Sequence, residues 1–224
     1  MNLAALKVQN AQRWRSGKVI RTGFDSVAQR LIAGRERYRD VARKTGVPWF
    51  VIAVIHERES SGNWRTQLGQ GDPLDRVSTH VPKGRGPFKT WEDGAYDALM
   101  NCPPHAADWN DWTAGGALTL LESYNGLGYA NKGLPSPYVW SGTDQYVKGK
   151  YVADGVFDSN AVDAQLGCAG LLMAMRKIDP TIVFADEAVA PPDIPKPEPK
   201  QDQPATSGLF YSLLQLVLSL FNRS

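Results

Sequence analysis

A run of apolar residues, Trp49-Phe50-Val51-Ile52-Ala53-Val54-Ile55, passes without a break into His56-Glu57-Arg58-Glu59-Ser60-Ser61-Gly62. Apolar on every side, the run has the pattern of a helix buried in a core. Its end brings two carboxyl groups to the edge of that core. A carboxylate at a helix C-terminus meets the negative end of the dipole, which disfavours ionisation. Adjoining apolar surface adds a desolvation penalty, and both effects keep a carboxyl protonated toward neutral pH. That is the state required of a general acid in glycoside cleavage. The same residues also suit a plainer role, with Glu57, Arg58 and Glu59 pairing to solvate the helix end. Two residues apart on a helix, Glu57 and Glu59 point about 200° apart at ~100° per residue, so only one can face a given cleft.

Val54-Ile55-His56-Glu57-Arg58-Glu59-Ser60-Ser61-Gly62 resembles the helix end that carries the catalytic Glu-Ser pair in goose-type lysozymes and the related soluble lytic transglycosylases. In the goose-type pattern, Arg-Glu-Ser is followed by a Gly-x-Gly-Asp turn. This chain has Arg58-Glu59-Ser60 and then Gly69-Gln70-Gly71-Asp72, with Asp72 thirteen residues beyond Glu59. The match selects Glu59 over Glu57. Downstream, Leu121-Glu122-Ser123-Tyr124-Asn125-Gly126-Leu127-Gly128-Tyr129 is similar to the Ala-Tyr-Asn-x-Gly segment of the transglycosylases. Asp144-Gln145-Tyr146-Val147-Lys148 looks like their later Tyr-Val motif. The three motifs stand in family order and cover roughly residues 45–150. One departure concerns the Gly-Leu-Met-Gln segment usual in both families. Thr79-His80-Val81-Pro82-Lys83-Gly84-Arg85-Gly86-Pro87-Phe88 stands in its place, which suggests a distinct, phage-like branch.

The resemblance implies cleavage of the β-1,4 bond between N-acetylmuramic acid and N-acetylglucosamine, with Glu59 protonating the leaving oxygen. It further implies a catalytic Asp72 and substrate contacts from Ser60, Tyr124, Asn125, Tyr146 and Asp75, with no metal and no cofactor. Hydrolysis with inversion needs a second carboxylate about 6.5–9.5 Å from the first to activate water. Asp72 is the first candidate and Asp75 the second, although Gly71-Asp72-Pro73 is also a good turn sequence. Without such a base, the muramyl 6-hydroxyl attacks internally and a 1,6-anhydro product forms. The spaced aspartate favours hydrolysis, the Tyr-Asn motif transglycosylation, and a lysozyme is the preferred expectation. A chitinase-like enzyme and an inactive wall-binding module are the competing classes. Tyr124 and Tyr146 also suit the plain role of core aromatics, and His80 that of an exposed histidine.

Positioning such a site falls to helices. Asp25 or Ser26 can cap a helix through about Thr45, carrying Val27, Leu31, Ile32, Tyr38 and Val41 at helical spacing. Gly46 ends it and Pro48 opens the next. Residues 66–90, rich in Gly and Pro, predict an irregular segment. Helices resume near 91–101, 113–124 and 160–177, with no alternating strand series and no internal repeat. The expected class is mainly α, a lysozyme-like helical domain over residues 1–189.

Residues 190–208 have the Pro-rich composition of an extended linker. Residues 209–224 form an apolar tail, short of the ~18–20 residues that span a bilayer. Ser212, Gln215 and Ser219 fall on one side of it, as in a helix lying at an interface. An inner-membrane or protein contact through 209–221 is the candidate use, with packing back on the domain as the alternative. The N-terminus lacks the apolar region of a secretory signal, so synthesis in a cytoplasm and action on the cell wall are expected. Such a combination fits a phage lysis or virion-associated enzyme. The formal net charge of +2 and pI near 8.5 are too mild for a nucleic-acid partner, and peptidoglycan strands are the expected one. Cys102 and Cys168 match no metal spacing and suit buried free thiols; the three histidines form no HExxH pattern.

Overall fold

The computed structural model describes residues 2–69 and 71–187. The expected linker over 190–208, the apolar tail over 209–224 and Gln70 of the Gly-x-Gly-Asp turn lie outside the described residues. In chain order the first elements are α1 (Leu3–Ser16), α2 (Phe24–Ala33), α3 (Arg35–Thr45) and α4 (Trp49–Ser60). After the irregular stretch come α5 (Trp91–Asn101), α6 (Ala114–Tyr124) and the single turns α7 (Gly128–Asn131) and α8 (Pro137–Trp140). A hairpin of β1 (Lys150–Ala153) and β2 (Val156–Asp158) precedes the last helix, α9 (Cys168–Ile178). The described residues are therefore mainly helical, and they fall in one unit bounded at Met1–Ala188.

Helix α4 supplies the centre. Val51 through His56 are fully buried, and α2, α3, α6 and α9 all touch it. That matches a sequence apolar on all sides, because a helix enclosed by four others has no solvent face. Pro48 caps it at the N-terminus, where a missing N–H removes no helical bond. α6 is enclosed in the same way, with Ala114 through Glu122 all buried. Cys102 and Cys168 are buried and unpaired.

The structure corrects three boundaries and adds two elements. The helix expected from Asp25 or Ser26 to Thr45 is two helices, broken at Gly34. A side chain at Gly34 would put its Cβ 2.7 Å from the Trp64 ring, so the break admits that indole against the backbone. The N-cap of α2 is Gly23, with no side-chain cap, and the Ser26 hydroxyl instead donates to the Gly23 carbonyl at 3.0 Å. Gly46 does end α3, in the left-handed conformation at φ 73°. The helix expected from about 160 starts only at Cys168, because residues before it carry Asp163 into a buried ion-pair site. Finally, α1 and the hairpin were not anticipated. α1 buries Leu6, Asn10 and Trp14, a stripe whose middle member is polar. Asn10 holds α1 to the rest, donating to Thr119 Oγ1 at 3.2 Å and Glu122 Oε2 at 3.3 Å and accepting from Trp140 Nε1 at 3.2 Å. The hairpin strands are four and three residues long, too short to alternate visibly, and a bulge shifts the register between Tyr151 and Ala153.

Candidate active site

The C-terminal turn of α4 separates its charged residues as the helical geometry requires. Glu57 turns to Arg30, accepting from Nη2 at 2.8 Å. Glu59 turns the other way and accepts a 2.7 Å hydrogen bond from the Tyr138 hydroxyl at Oε1. Oε2 accepts none from the described residues. Ser61 stops the helix in the left-handed region at φ 54°, its N–H donating to the Glu57 carbonyl at 2.8 Å. Ser60, expected at the substrate, spends its hydroxyl on the His56 carbonyl at 3.1 Å.

Burial sets the protonation of Glu59. Desolvation pushes its carboxyl up from the ordinary 4.5 to about 7, against the opposing pull of the Tyr138 hydroxyl and the Arg58 charge. A proton is thus held near neutrality, where it can be given and taken back. Glu57 is also pushed up by burial, but Arg30 beside it opposes the shift.

Arg58, between the two glutamates, is nearly as deep as the core, with 6% of its side chain exposed. Its guanidinium lies over the Tyr138 ring, 4.7 Å from the centroid, and both terminal nitrogens reach Asp163 Oδ2 at 3.1 Å. Lys150 Nζ takes the other oxygen of Asp163 at 2.8 Å. Glu59 is therefore held through its neighbours by α8, the hairpin and the segment before α9. Tyr138, Arg58 and Asp163 were not singled out from the sequence as parts of the site. The one local signal was Ser136-Pro137 opening a helical turn, which says nothing of what Tyr138 meets.

Tyr124 stands near Glu59, close enough for the carboxyl charge to add to the burial that raises its phenol pKa. Its hydroxyl is buried and has no partner among the described residues. Asn125 follows in the C-cap of α6, exposed, and lines a cavity of about 450 Å³ beside Arg58. Tyr146 does not face the acid. It is buried at 4% exposure, accepting from the Asp163 N–H and donating to the Gly149 carbonyl, both at 3.2 Å. The tyrosine expected there from the Tyr-Val motif is replaced by Tyr138, while Tyr146 fixes the approach of Asp163.

The turn at Gly71 and Asp72 comes to the backbone of Glu59. Gly71, at φ 72°, lies so close that an added Cβ would stand 3.3 Å from the Glu59 carbonyl oxygen. Asp72 itself is buried and holds three hydrogen bonds. Oδ2 accepts from the N–H groups of Thr79 at 2.9 Å and His80 at 3.1 Å, and Oδ1 meets His80 Nδ1 at 2.8 Å. The His80 backbone bond leads the contacts that hold its pKa below the usual carboxylate range. His80, read from the sequence as an exposed histidine, is exposed in its side chain and pairs with Asp72. Asp75 is exposed. Among the described residues no group of three or more His, Cys, Asp or Glu side chains converges as a metal site.

His56, in the same helix turn, is structural. Its ring packs within 4.6 Å of both Trp64 and Trp91, and Nδ1 meets the Tyr38 hydroxyl at 2.9 Å. Burial lowers its pKa to about 4, so the imidazole stays neutral.

Replacing Tyr138 by Phe removes the hydrogen bond that favours the Glu59 carboxylate. The Glu59 pKa should then rise further above about 7. If Glu59 acts as an acid, the alkaline limb of a pH–rate profile moves to higher pH. A limb that stays in place or moves down would show that Tyr138 does not act on Glu59.

Comparison with protein-family models, with curated proteins and with solved structures found no match.

Proposed function

We propose that the chain cleaves the β-1,4 bond between N-acetylmuramic acid and N-acetylglucosamine in peptidoglycan, with Glu59 as the general acid, on a helical unit of the lysozyme kind. The observation that carries the reading is the state of Glu59. One carboxyl at the edge of the core has its pKa raised to about 7 and is oriented by a single tyrosine. An ion-paired surface glutamate would have neither property. The motif order of the sequence supplies the substrate class, and Tyr124 near the acid and Asn125 in the wall of the cavity beside Arg58 support it.

The step after protonation turns on Asp72. A general base needs a free lone pair and a pKa near the working pH. Asp72 has three hydrogen bonds and a lowered pKa. That occupancy favours a second reading over hydrolysis. In it, the muramyl 6-hydroxyl attacks the anomeric carbon, and Glu59, having given its proton to the leaving oxygen, recovers one from that hydroxyl. The sugar closes as a 1,6-anhydro ring with no water consumed.

Digestion of purified peptidoglycan followed by mass spectrometry of the fragments tests both readings. Anhydro-muramyl ends are the expected product. Reducing ends would instead require Asp72 to be released from His80, and in that case Asp72→Asn should lower the rate on the order of 100-fold. Cleavage confined to chitin would move the substrate class. Wall binding without cleavage of either polymer would leave a binding module.

Action on the wall by a protein made in the cytoplasm, a phage lysis role and a membrane or protein contact through 209–221 complete the proposal. Wall fractions treated with the protein lacking 209–221 should be digested as before, with only partitioning to membranes altered.

A further inference from the structure

A cavity beside Arg58 lies beneath the β1–β2 hairpin. Arg58, Asn125, Tyr129, Lys150, Tyr151 and Gln165 are among its walls. Its floor is charged, and the charges do not balance. Asp163, 2% exposed, has Oδ2 taken by Arg58 and Oδ1 by Lys150, so one buried carboxylate serves two cations. The Arg58 Nε is also buried and has no partner among the described residues. The other acid in the wall, Asp154, is exposed in the hairpin turn, where water and salt screen it. The deep part of the cavity is therefore short of one anion.

Lys150 is the cation able to receive it. Its side chain is 36% exposed, and an ammonium has three donors, of which Asp163 takes one. Asn125 and Gln165 add amide groups at the rim, and Tyr151 adds an aromatic edge. Tyr151 can lie there because the position beneath it is glycine: a Cβ on Gly128 would come 3.1 Å from the Tyr151 hydroxyl.

We propose that this cavity takes a carboxylate carried by the glycan, and that Lys150 is the residue that selects it. The proposal rests on the glycan-cleaving reading for the polymer, and on the charge of the cavity floor for the anion. It predicts that the protein distinguishes an acid-bearing glycan from the same glycan made neutral.

The test uses the full chain and purified peptidoglycan, either intact or with its carboxyl groups converted to amides. Wild-type KM should be lower on the intact polymer by on the order of 2- to 5-fold, the strength of one partly exposed charge contact. Lys150→Met should bring the ratio of the two KM values to about one, and Lys150→Arg should restore part of it. Lys148→Met removes an equal charge from an exposed side chain bound to Asn160, and should preserve the ratio. A wild type indifferent to amidation would overturn the proposal, as would Lys150→Met raising both KM values alike. A second arm measures sedimentation of Glu59→Gln, with and without Lys150→Met, on the two polymers. If the wild type cleaves nothing, the cleavage reading falls while this arm still decides the anion. A binding preference for the intact polymer that Lys150→Met removes upholds the cavity assignment, and equal binding overturns it.

Discussion

Glu59→Gln should fold normally and cleave peptidoglycan on the order of 10³-fold more slowly than wild type, because an amide can accept the Tyr138 hydrogen bond but cannot transfer a proton. Glu57→Gln is the natural comparison. Its partner is Arg30, on the other side of α4, and the variant should remain active. The pair of variants separates a catalytic carboxyl from a merely charged helix end. Comparable losses in both, or none in either, would end the assignment of Glu59 as the acid.

The same substitution has a stability signature with a definite sign. The carboxyl of Glu59 titrates near 4.5 when solvated and near 7 in the fold. Between those values the unfolded chain has released its proton and the native chain has not, so raising the pH weakens the wild type. The stabilising contribution is complete below about 4.5 and lost as pH passes about 7. Gln has no such titration. Glu59→Gln should therefore gain thermal stability relative to wild type as pH rises from 5 to 8, which paired melting curves will read. A constant difference across that range would mean that Glu59 is not desolvated in solution.

The second large effect concerns Asp163. Removing one partner of a buried ion pair strands the other, at a cost of about 3–5 kcal/mol. Asp163→Ala leaves Arg58 at 6% exposure without its carboxylate and Lys150 without its anchor. A loss of that size should lower Tm on the order of 10 °C in a unit of this size. Asp163→Asn keeps an acceptor for Arg58 and should fall between. Replacing Arg58 and Asp163 together with apolar residues should recover part of the loss, since the desolvation penalty of both charges disappears. A melting temperature for Asp163→Ala within a degree or two of wild type would show that water already reaches Arg58.

How much of this was legible in the sequence depends on where each partner lies. α4 could be read because burial on all sides leaves an unbroken apolar run; helical spacing separates Glu57 from Glu59, and the choice of Glu59 came from the resemblance. The bounds of α5 and α6 also followed from local pattern. The break at Gly34 could not, because its cause is Trp64, which arrives from beyond α4. α1 was hidden by a buried face centred on Asn10, polar and satisfied only by Thr119, Glu122 and Trp140. At the site, the structure places Tyr124 near Glu59 and Asn125 in the wall of the cavity beside Arg58. Tyr146 was placed at the acid by likeness of motif, whereas the hydroxyl that reaches Glu59 belongs to Tyr138, in a helix only four residues long. Gly71, next to Asp72, packs on the Glu59 backbone, but spacing cannot reveal that Thr79 and His80 hold the Asp72 oxygens.

The contacts that hold Glu59 are all remote in the chain. Tyr138 lies 79 residues beyond it, and Asp163 lies 105 beyond Arg58. A growing polypeptide that has emerged only as far as α4 carries an ordinary, solvated glutamate with an ordinary acidity. The raised pKa of Glu59 comes into being when the last third of the unit docks, so under the proposed function cleavage requires completed synthesis and folding. A chain clipped before residue 163 should then be inert rather than merely weak.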